Sequence, residues 1–462
     1  MLFSSLNFFV FFIAYFAVHL LIARRYRVYL IIGGSTIFYA WWNVAYVWVP
    51  YLLMGIALGG SLWVSGAPTP RSRRLRLVAS LLALFAPLAV FKYTDFIFRD
   101  VLGAMFGWSD ALLAVPLPLG ISFVTFTLTA FVVDTVTGKF RRVARPSTVL
   151  AYVLFFPHLI AGPILRPAEL IPQLENARRP ILPAVAVGIF TLGLVKKVVF
   201  ADSIAPLVDV AYAKDVPSAA EALFALYGFA AQIYCDFSGY TDMAVGLGML
   251  LGVRLPTNFL RPYSSVSLVD FWRRWHITLS HWLRDYLYIP LGGNRRGFAR
   301  QLANLAVTMV LGGLWHGANW TFVIWGALHG VALAAVHALR RLTGARKGLP
   351  LPRPLGLLLT FHFVAVAWVF FRAPNVDKAT GMLGAAMGGS FSSAGHFVSL
   401  SLFPILLTSI VFLLHRFDDH RRVYVLVRRV PALVYWVGIG FFWLVAVAVS
   451  QGSSAKFIYF DF

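Results

Sequence analysis

Apolar runs of about 20 residues, the length a helix needs to cross a bilayer, recur along this chain, with knots of arginine and lysine between them. Few architectures accept that pattern. Backbone facing lipid must satisfy its hydrogen bonds internally, so spanning segments are helices or closed barrels. The runs here are continuous rather than alternating, which selects helices. Composition agrees: 60% of residues are hydrophobic and 13% charged, against roughly 25% charged in an average soluble domain. The expected class is an all-α polytopic membrane protein.

The basic knots set the orientation, because cytoplasmic loops are enriched in Lys and Arg. A first run, about Leu2–Ala23, ends at Arg24, Arg25 and Arg27. It lacks the charged start of a cleavable signal peptide and is expected to stay as an anchor. Runs at about Val28–Trp48 and Val49–Gly66 bring Arg71, Arg73, Arg74 and Arg76 back to the same side. Leu77–Tyr93 leads to a mixed-charge outer loop, Asp95 to Asp110, and Leu112–Val136 returns to Lys139, Arg141 and Arg142. The net charge of +22 follows from this rule and from contact with anionic membrane lipids, so nucleic acid is not an expected partner. The single cysteine, Cys235, excludes an intrachain disulfide and any CxxC metal motif.

Regularity then breaks. Phe156 to Pro163 and Arg166-Pro167 place prolines where a helix interior would lose hydrogen bonds. Two readings stand: a re-entrant segment beside a reaction chamber, or a kinked loop on the cytoplasmic face. His158 shares that ambiguity. Lys196 and Lys197 interrupt the run Val185–Val208. In the long run Ala222–Leu251, Gln232, Asp236, Tyr240 and Met243 share one helical face, as helix–helix glue or as cavity lining.

Ser267 to His329 holds four of the chain's 11 histidines, His276, His281, His316 and His329. Ionisable residues at membrane depth are expensive and point to function. Ser267 reads as an N-cap with Asp270 three residues on, opening an amphipathic helix to about Tyr288. Arg273, Arg274, Arg284 and Asp285 make it too polar to span, and Trp272, Trp275 and Trp282 suit an interface. Leu302–Leu339, with basic residues at both ends, reads as a hairpin in and out. His316, near its middle, is then buried. Further spans are expected at Pro354–Phe371, Leu400–Leu414 and Leu433–Val449, with Arg421, Arg422, Arg428 and Arg429 inside and the tail Phe457–Phe462 outside. No internal repeat or soluble domain is evident.

A buried neutral imidazole is a suitable general base for activating a hydroxyl, and Trp315, Gly317 and Trp320 would exclude water around His316. A lone buried histidine is equally a packing residue. The chain has no GxSxG, GxxxxGK[ST] or HExxH motif. Few carboxylates and no cysteine accompany the four histidines, so no metal site is expected.

DFWRRWHITLSHWLRDYLYIPLGGNR, GGLWHGANWTFVIWGALHG, the upstream QIYCDFSGYTDMAVGLGMLLGVRLPTNFLRPY and the terminal FIYFDF together resemble the membrane-bound O-acyltransferase family. The likeness is to its bacterial branch of alginate O-acetylases and teichoic acid D-alanyl transfer proteins, the former more closely. The resemblance implies transfer of an acyl group, acetyl in the first instance, from a cytoplasmic donor to an extracellular polysaccharide such as alginate. Acetyl-CoA or another acyl carrier would be the donor, with no bound cofactor. It implies an essential histidine at the WHG motif, His316, and a second in the FWxRWH motif, His276. Trp315, Asn319, Trp272, Arg273, Arg274, Asp236 and Tyr240 are the accompanying candidates for tunnel lining or donor approach. The family fold is a ring of about 10–12 tilted helices with re-entrant and interfacial segments. Here it would be one domain over 1–462: N-terminal spans at 1–150, a catalytic core at 151–345 and C-terminal spans at 346–462. The implied setting is the bacterial inner membrane, with the polysaccharide or a periplasmic SGNH-type acyltransferase as partner. A transporter of polysaccharide or lipid-linked substrate, or a scaffold for a synthase, is the competing reading. Transporters commonly show repeat symmetry, which this sequence lacks.

Overall fold

A computed structural model describes residues 1–107, 116–141, 145–176, 180–344, 351–392, 394–450 and 457–458. Asp110, Leu112, Arg142, the boundary at 345–346 and the tail from Tyr459 lie outside the described residues. All regular elements among those described are helical. Six helices are long and apolar enough to cross a membrane: Val44–Ser65, Pro70–Tyr93, Pro183–Ala213, Trp320–Thr343, Arg353–Arg372 and Ala432–Ser450. A bent pair, Ala394–Leu400 with Leu402–Phe417, makes a seventh if its 82° turn lies within one span. Leu6–Leu21 and Ile121–Val136 are apolar but shorter, so length rather than polarity keeps them off that count. The chain is a multi-pass membrane protein.

Two compact units divide it. The first comprises Met1–Phe190 and Tyr240–Pro256. Here the helix expected from Leu77 starts at Pro70, because Thr69 caps it, its hydroxyl accepting from the Ser72 amide at 3.1 Å. The second arginine knot therefore forms the first turns of a helix rather than a loop. The outer loop expected from Asp95 is helical at Phe96–Leu102 and Gly103–Phe106. The broken segment is not a surface loop: every residue from Ala151 to Leu165 is buried. Its exposed-backbone problem is solved by side chains. The Phe156 amide donates to Ser35 Oγ at 3.2 Å, and His158 Nε2 donates to the Tyr152 carbonyl at 2.8 Å. His158 is thereby committed to holding the break.

The second unit comprises Thr191–Gly239 and Thr257–Phe462. The two lysines that interrupt the apolar run are buried and paired, as charge at this depth must be. Lys197 Nζ lies 2.8 Å from Asp202 and 2.8 Å from Asp236, and Lys196 Nζ lies 2.5 Å from Asp418. The single helix expected from Ser267 to Tyr288 is instead broken. Ser267 does cap Leu268–Trp272, accepting from the Asp270 amide at 3.2 Å. A second helix, Ile277–Leu283, starts only after His276, whose φ of 42° lies in the left-handed region. A non-glycine residue there costs about 1 kcal/mol or more, so neighbouring structure must hold it.

Candidate active site

The expected hairpin is present as the helices Phe298–His316 and Trp320–Thr343. Glycine makes the close approach possible. A Cβ on Gly326 would meet the backbone at Met309 and Val310, and one on Gly330 would lie 2.9 Å from Ala306 Cα. His316 ends the first helix and is 4% exposed. Its ring is enclosed by aromatic neighbours: Trp315 at 4.9 Å between centroids, Phe371 at 5.1 Å and Trp325 at 5.2 Å. Trp315 is also 6.2 Å from His276, so one indole touches both candidate histidines.

His276 is fully buried, against Phe237 at 4.8 Å and Phe259 at 6.2 Å. Its strained backbone is pinned on both sides by the connector that precedes it. The Leu260 amide donates to the Arg274 carbonyl and the Ile277 amide to the Asn258 carbonyl, both at 2.9 Å. Buried Asn258 also accepts, through Oδ1, from the Thr278 amide at 3.2 Å and the Thr278 hydroxyl at 2.9 Å. Burial disfavours the charged ring and pushes the His276 pKa well below the usual imidazole range. His276 sits in the break between the Leu268–Trp272 and Ile277–Leu283 helices and not in a spanning helix.

The other candidates divide by what they touch. Trp272 is half-buried and donates its indole N–H to His329 Nδ1 at 3.3 Å. Arg274 pairs with Asp270 at 2.9 Å, while Arg273 is exposed. Asn319 caps the Trp320–Thr343 helix, accepting from the Thr321 amide, and its Nδ2 donates to the Pro374 carbonyl, both at 2.9 Å. Asp236 contacts Lys197 and accepts the Ile458 amide at 2.8 Å, anchoring the end of the described chain. Tyr240, one turn further along the helix Ala219–Leu250, belongs to the first unit, where its ring stacks on Phe3 at 4.6 Å.

Two residues join the cluster that the motifs do not single out. His329 is fully buried, with Trp325 at 4.9 Å and Trp272 at 5.2 Å. Trp325 and His329 are four apart, hence on one helix face. That spacing was the available signal. His281, by contrast, is exposed, and no three His, Cys, Asp or Glu side chains gather as a metal site among the described residues. A cleft of about 770 Å³ in the first unit is lined by Arg24, Gln173, Glu175 and Arg254, among others, and contains none of these histidines. The cleft therefore does not coincide with the candidate histidines.

The model of the membrane-bound O-acyltransferase family matches residues 139–372, just over half of the chain and the part that holds His276, His316 and His329. The chain belongs to the membrane-bound O-acyltransferase family. It is 42% identical over 394 residues to a protein of Azotobacter vinelandii named probable alginate O-acetylase, covering 83% of this chain and 78% of that one. It is 39% identical over 386 residues to the peptidoglycan O-acetyltransferase of Helicobacter pylori, covering 77% and 72%. The teichoic acid D-alanyltransferase of Bacillus subtilis is more distant, at 27% over 272 residues, 55% and 68% of the two chains. This membrane-bound O-acyltransferase is an enzyme, which sets aside the transporter and scaffold readings.

Proposed function

We propose that this enzyme O-acetylates an extracellular or periplasmic polysaccharide, with His316 as its general base. The observation that carries the reading is the position of His316. It is an imidazole 4% exposed, at the end of a helix inside a membrane protein, walled by Trp315, Trp325 and Phe371. An acceptor hydroxyl attacks the acyl carbonyl only as its proton leaves, and His316 takes that proton. The carbonyl ends of the preceding helix favour positive charge beside them, which suits the imidazolium formed as the bond is made. The aromatic wall keeps out water, which would otherwise take the acyl group. His276, joined to His316 through Trp315, supports the site. Trp315 orients both rings, and Trp272 acts on His329. Arg273 and Arg274 meet the donor.

The relatives named for alginate and peptidoglycan acetylation favour acetyl as the acyl group and a glycan such as alginate as acceptor. The donor is an acetyl thioester from the cytoplasm, acetyl-CoA or an acyl carrier, and no cofactor stays bound. The enzyme works in the bacterial inner membrane, and the acetyl group reaches the polymer directly or through an SGNH-type partner.

The test is the acetyl ester content of the polysaccharide in cells carrying wild-type or His316→Ala protein at equal membrane levels. Loss of ester with polymer yield unchanged is expected. Unchanged ester removes His316 from the chemistry, and loss of the polymer itself indicates export or synthesis instead.

A further inference from the structure

We propose that Trp325 and His329 form the oxyanion site of this acyltransferase. The assignment rests on the proposed role of His316. Both residues are buried, at 1% and 0% exposure, one turn apart on the same face of the Trp320–Thr343 helix. The Trp325 ring lies 5.2 Å from His316 and 4.9 Å from His329.

Proton placement follows from chemistry. An indole N–H only donates. Because Trp272 Nε1 donates to His329 Nδ1 at 3.3 Å, that nitrogen holds a lone pair, and the neutral ring carries its proton on Nε2. His329 Nε2 is buried and meets no acceptor among the described residues; the same is true of Trp325 Nε1. Apart from His316, the rings around them carry no acceptor nitrogen: Phe271 and Phe363 lie beside His329, and Trp368 and Phe371 beside Trp325. Buried donors without acceptors are rare and costly in native proteins. Two on one helical turn, the first beside the candidate base and the second beside the first, fit a ligand atom that gains negative charge during the reaction.

The carbonyl oxygen of the acyl group is such an atom. The acceptor hydroxyl oxygen bonds to the carbonyl carbon, its proton passes to His316, and the C=O π pair moves onto oxygen. The two N–H groups hold that oxyanion. As it collapses, the bond from the acyl carbon to the donor's leaving group breaks, and the leaving group takes the proton back from His316. The sum is ester plus protonated leaving group from acyl donor plus alcohol. Trp272, one ring further out, is the positioning residue that keeps the His329 proton on Nε2.

The decisive comparison is between His329→Phe, which keeps an aromatic ring and loses the donor, and His329→Gln, which keeps an N–H near the Nε2 position and loses the ring. The readout is the initial rate at which a pulse of radiolabelled acetate enters polymer esters, in cells with matched membrane levels of the full-length variants. His329→Phe is expected to fall by roughly 10²-fold, the loss typical of one oxyanion donor, and His329→Gln to recover at least several-fold over it. Trp325→Phe, which removes only the indole N–H and part of the ring, is expected to fall by at least 10-fold. A packing role gives the reverse order, with His329→Phe above His329→Gln, and overturns the proposal. So does a wild-type rate in Trp325→Phe, which decides the matter if His329→Phe fails to reach the membrane. A wild-type rate in His316→Ala would instead remove the reading on which the proposal stands.

Discussion

Gly326→Ala is a one-carbon change whose effect can be worked out from the helix pair it separates. A Cβ at position 326 would sit 2.9 Å from Val310 Cα and 3.1 Å from the Met309 carbonyl carbon, with the Met309 oxygen closer still. Ordinary contact begins near 3.4 Å, so the Phe298–His316 and Trp320–Thr343 helices must part by at least half an ångström. The obstacles are backbone atoms, which cannot rotate away, and the neighbouring Gly313 and Gly330 share the seam. Overpacking of this kind costs about 1–3 kcal/mol, and the rigid obstacle argues for the upper part of that range. The same shift carries Trp325, the adjacent residue, away from His316, and misplacement by about 1 Å can lower a rate by about 10²-fold. Gly438→Ala is the control: no atom lies within 4 Å of its added Cβ, and it sits inside the helix Ala432–Ser450, where alanine is favoured over glycine by roughly 0.5–1 kcal/mol. Thermal unfolding of the two purified proteins in detergent, with acetate incorporation in cells, checks the pair. Gly326→Ala should melt lower and lose most activity, while Gly438→Ala melts at or above wild type and stays active. Equal melting and equal rates in the two would refute the close-packed seam.

Asn258→Ala removes two hydrogen bonds from Thr278, worth about 0.5–1.5 kcal/mol each; lowered melting together with lost acetate incorporation is expected, and retained activity would uncouple the connector from His276. The His276 pKa is lowered by burial, so the unfolded chain binds the extra proton first. Its contribution to stability is therefore fully present above about pH 6.5 and declines as pH falls below it, by up to about 1.4 kcal/mol per pH unit. His276→Asn, which tolerates the left-handed backbone and does not titrate, should flatten that acid limb of melting temperature against pH; an unchanged slope would show that His276 does not titrate on unfolding.

The fold class was legible because a bilayer imposes its length and polarity on every spanning segment. The runs at Ala222–Leu251 and Leu302–Leu339 become the helix Ala219–Leu250 and the Phe298–His316 and Trp320–Thr343 hairpin, with boundaries displaced by a few residues. What failed was local. The periodicity from Ser267 to Tyr288 reads as one amphipathic helix, since nothing in side-chain spacing reveals that His276 takes φ of 42°. That conformation is set by Asn258 and Leu260, 18 and 16 positions upstream, and is a tertiary decision. Hydropathy also counted the arginines from Arg71 to Arg76 as loop, whereas the Thr69 cap and Pro70 start the helix before them. Long basic side chains can extend from a helix end to the interface, so their charge marks a membrane side without marking a helix boundary.

The histidines show the same division between what a motif carries and what only packing supplies. WHG draws attention to His316 because the three residues are adjacent in sequence. His329 lies 13 residues on, and its relevance depends on a hydrogen bond from Trp272, on a separate helix, that determines which ring nitrogen bears the proton. Residue type alone allows His329 to be base, donor or packing. The indole excludes Nδ1 as a donor, and the aromatic surroundings leave Nε2–H without a protein acceptor. In the proposed reaction a base at position 316 and donors at 325 and 329 are complementary demands: the first would accept the proton that the acceptor oxygen sheds, and the others would hold the charge that the carbonyl oxygen gains. A structural histidine would require neither, and this difference in demand is why the order of the Phe and Gln variants at 329, rather than the loss in either alone, discriminates between chemistry and packing.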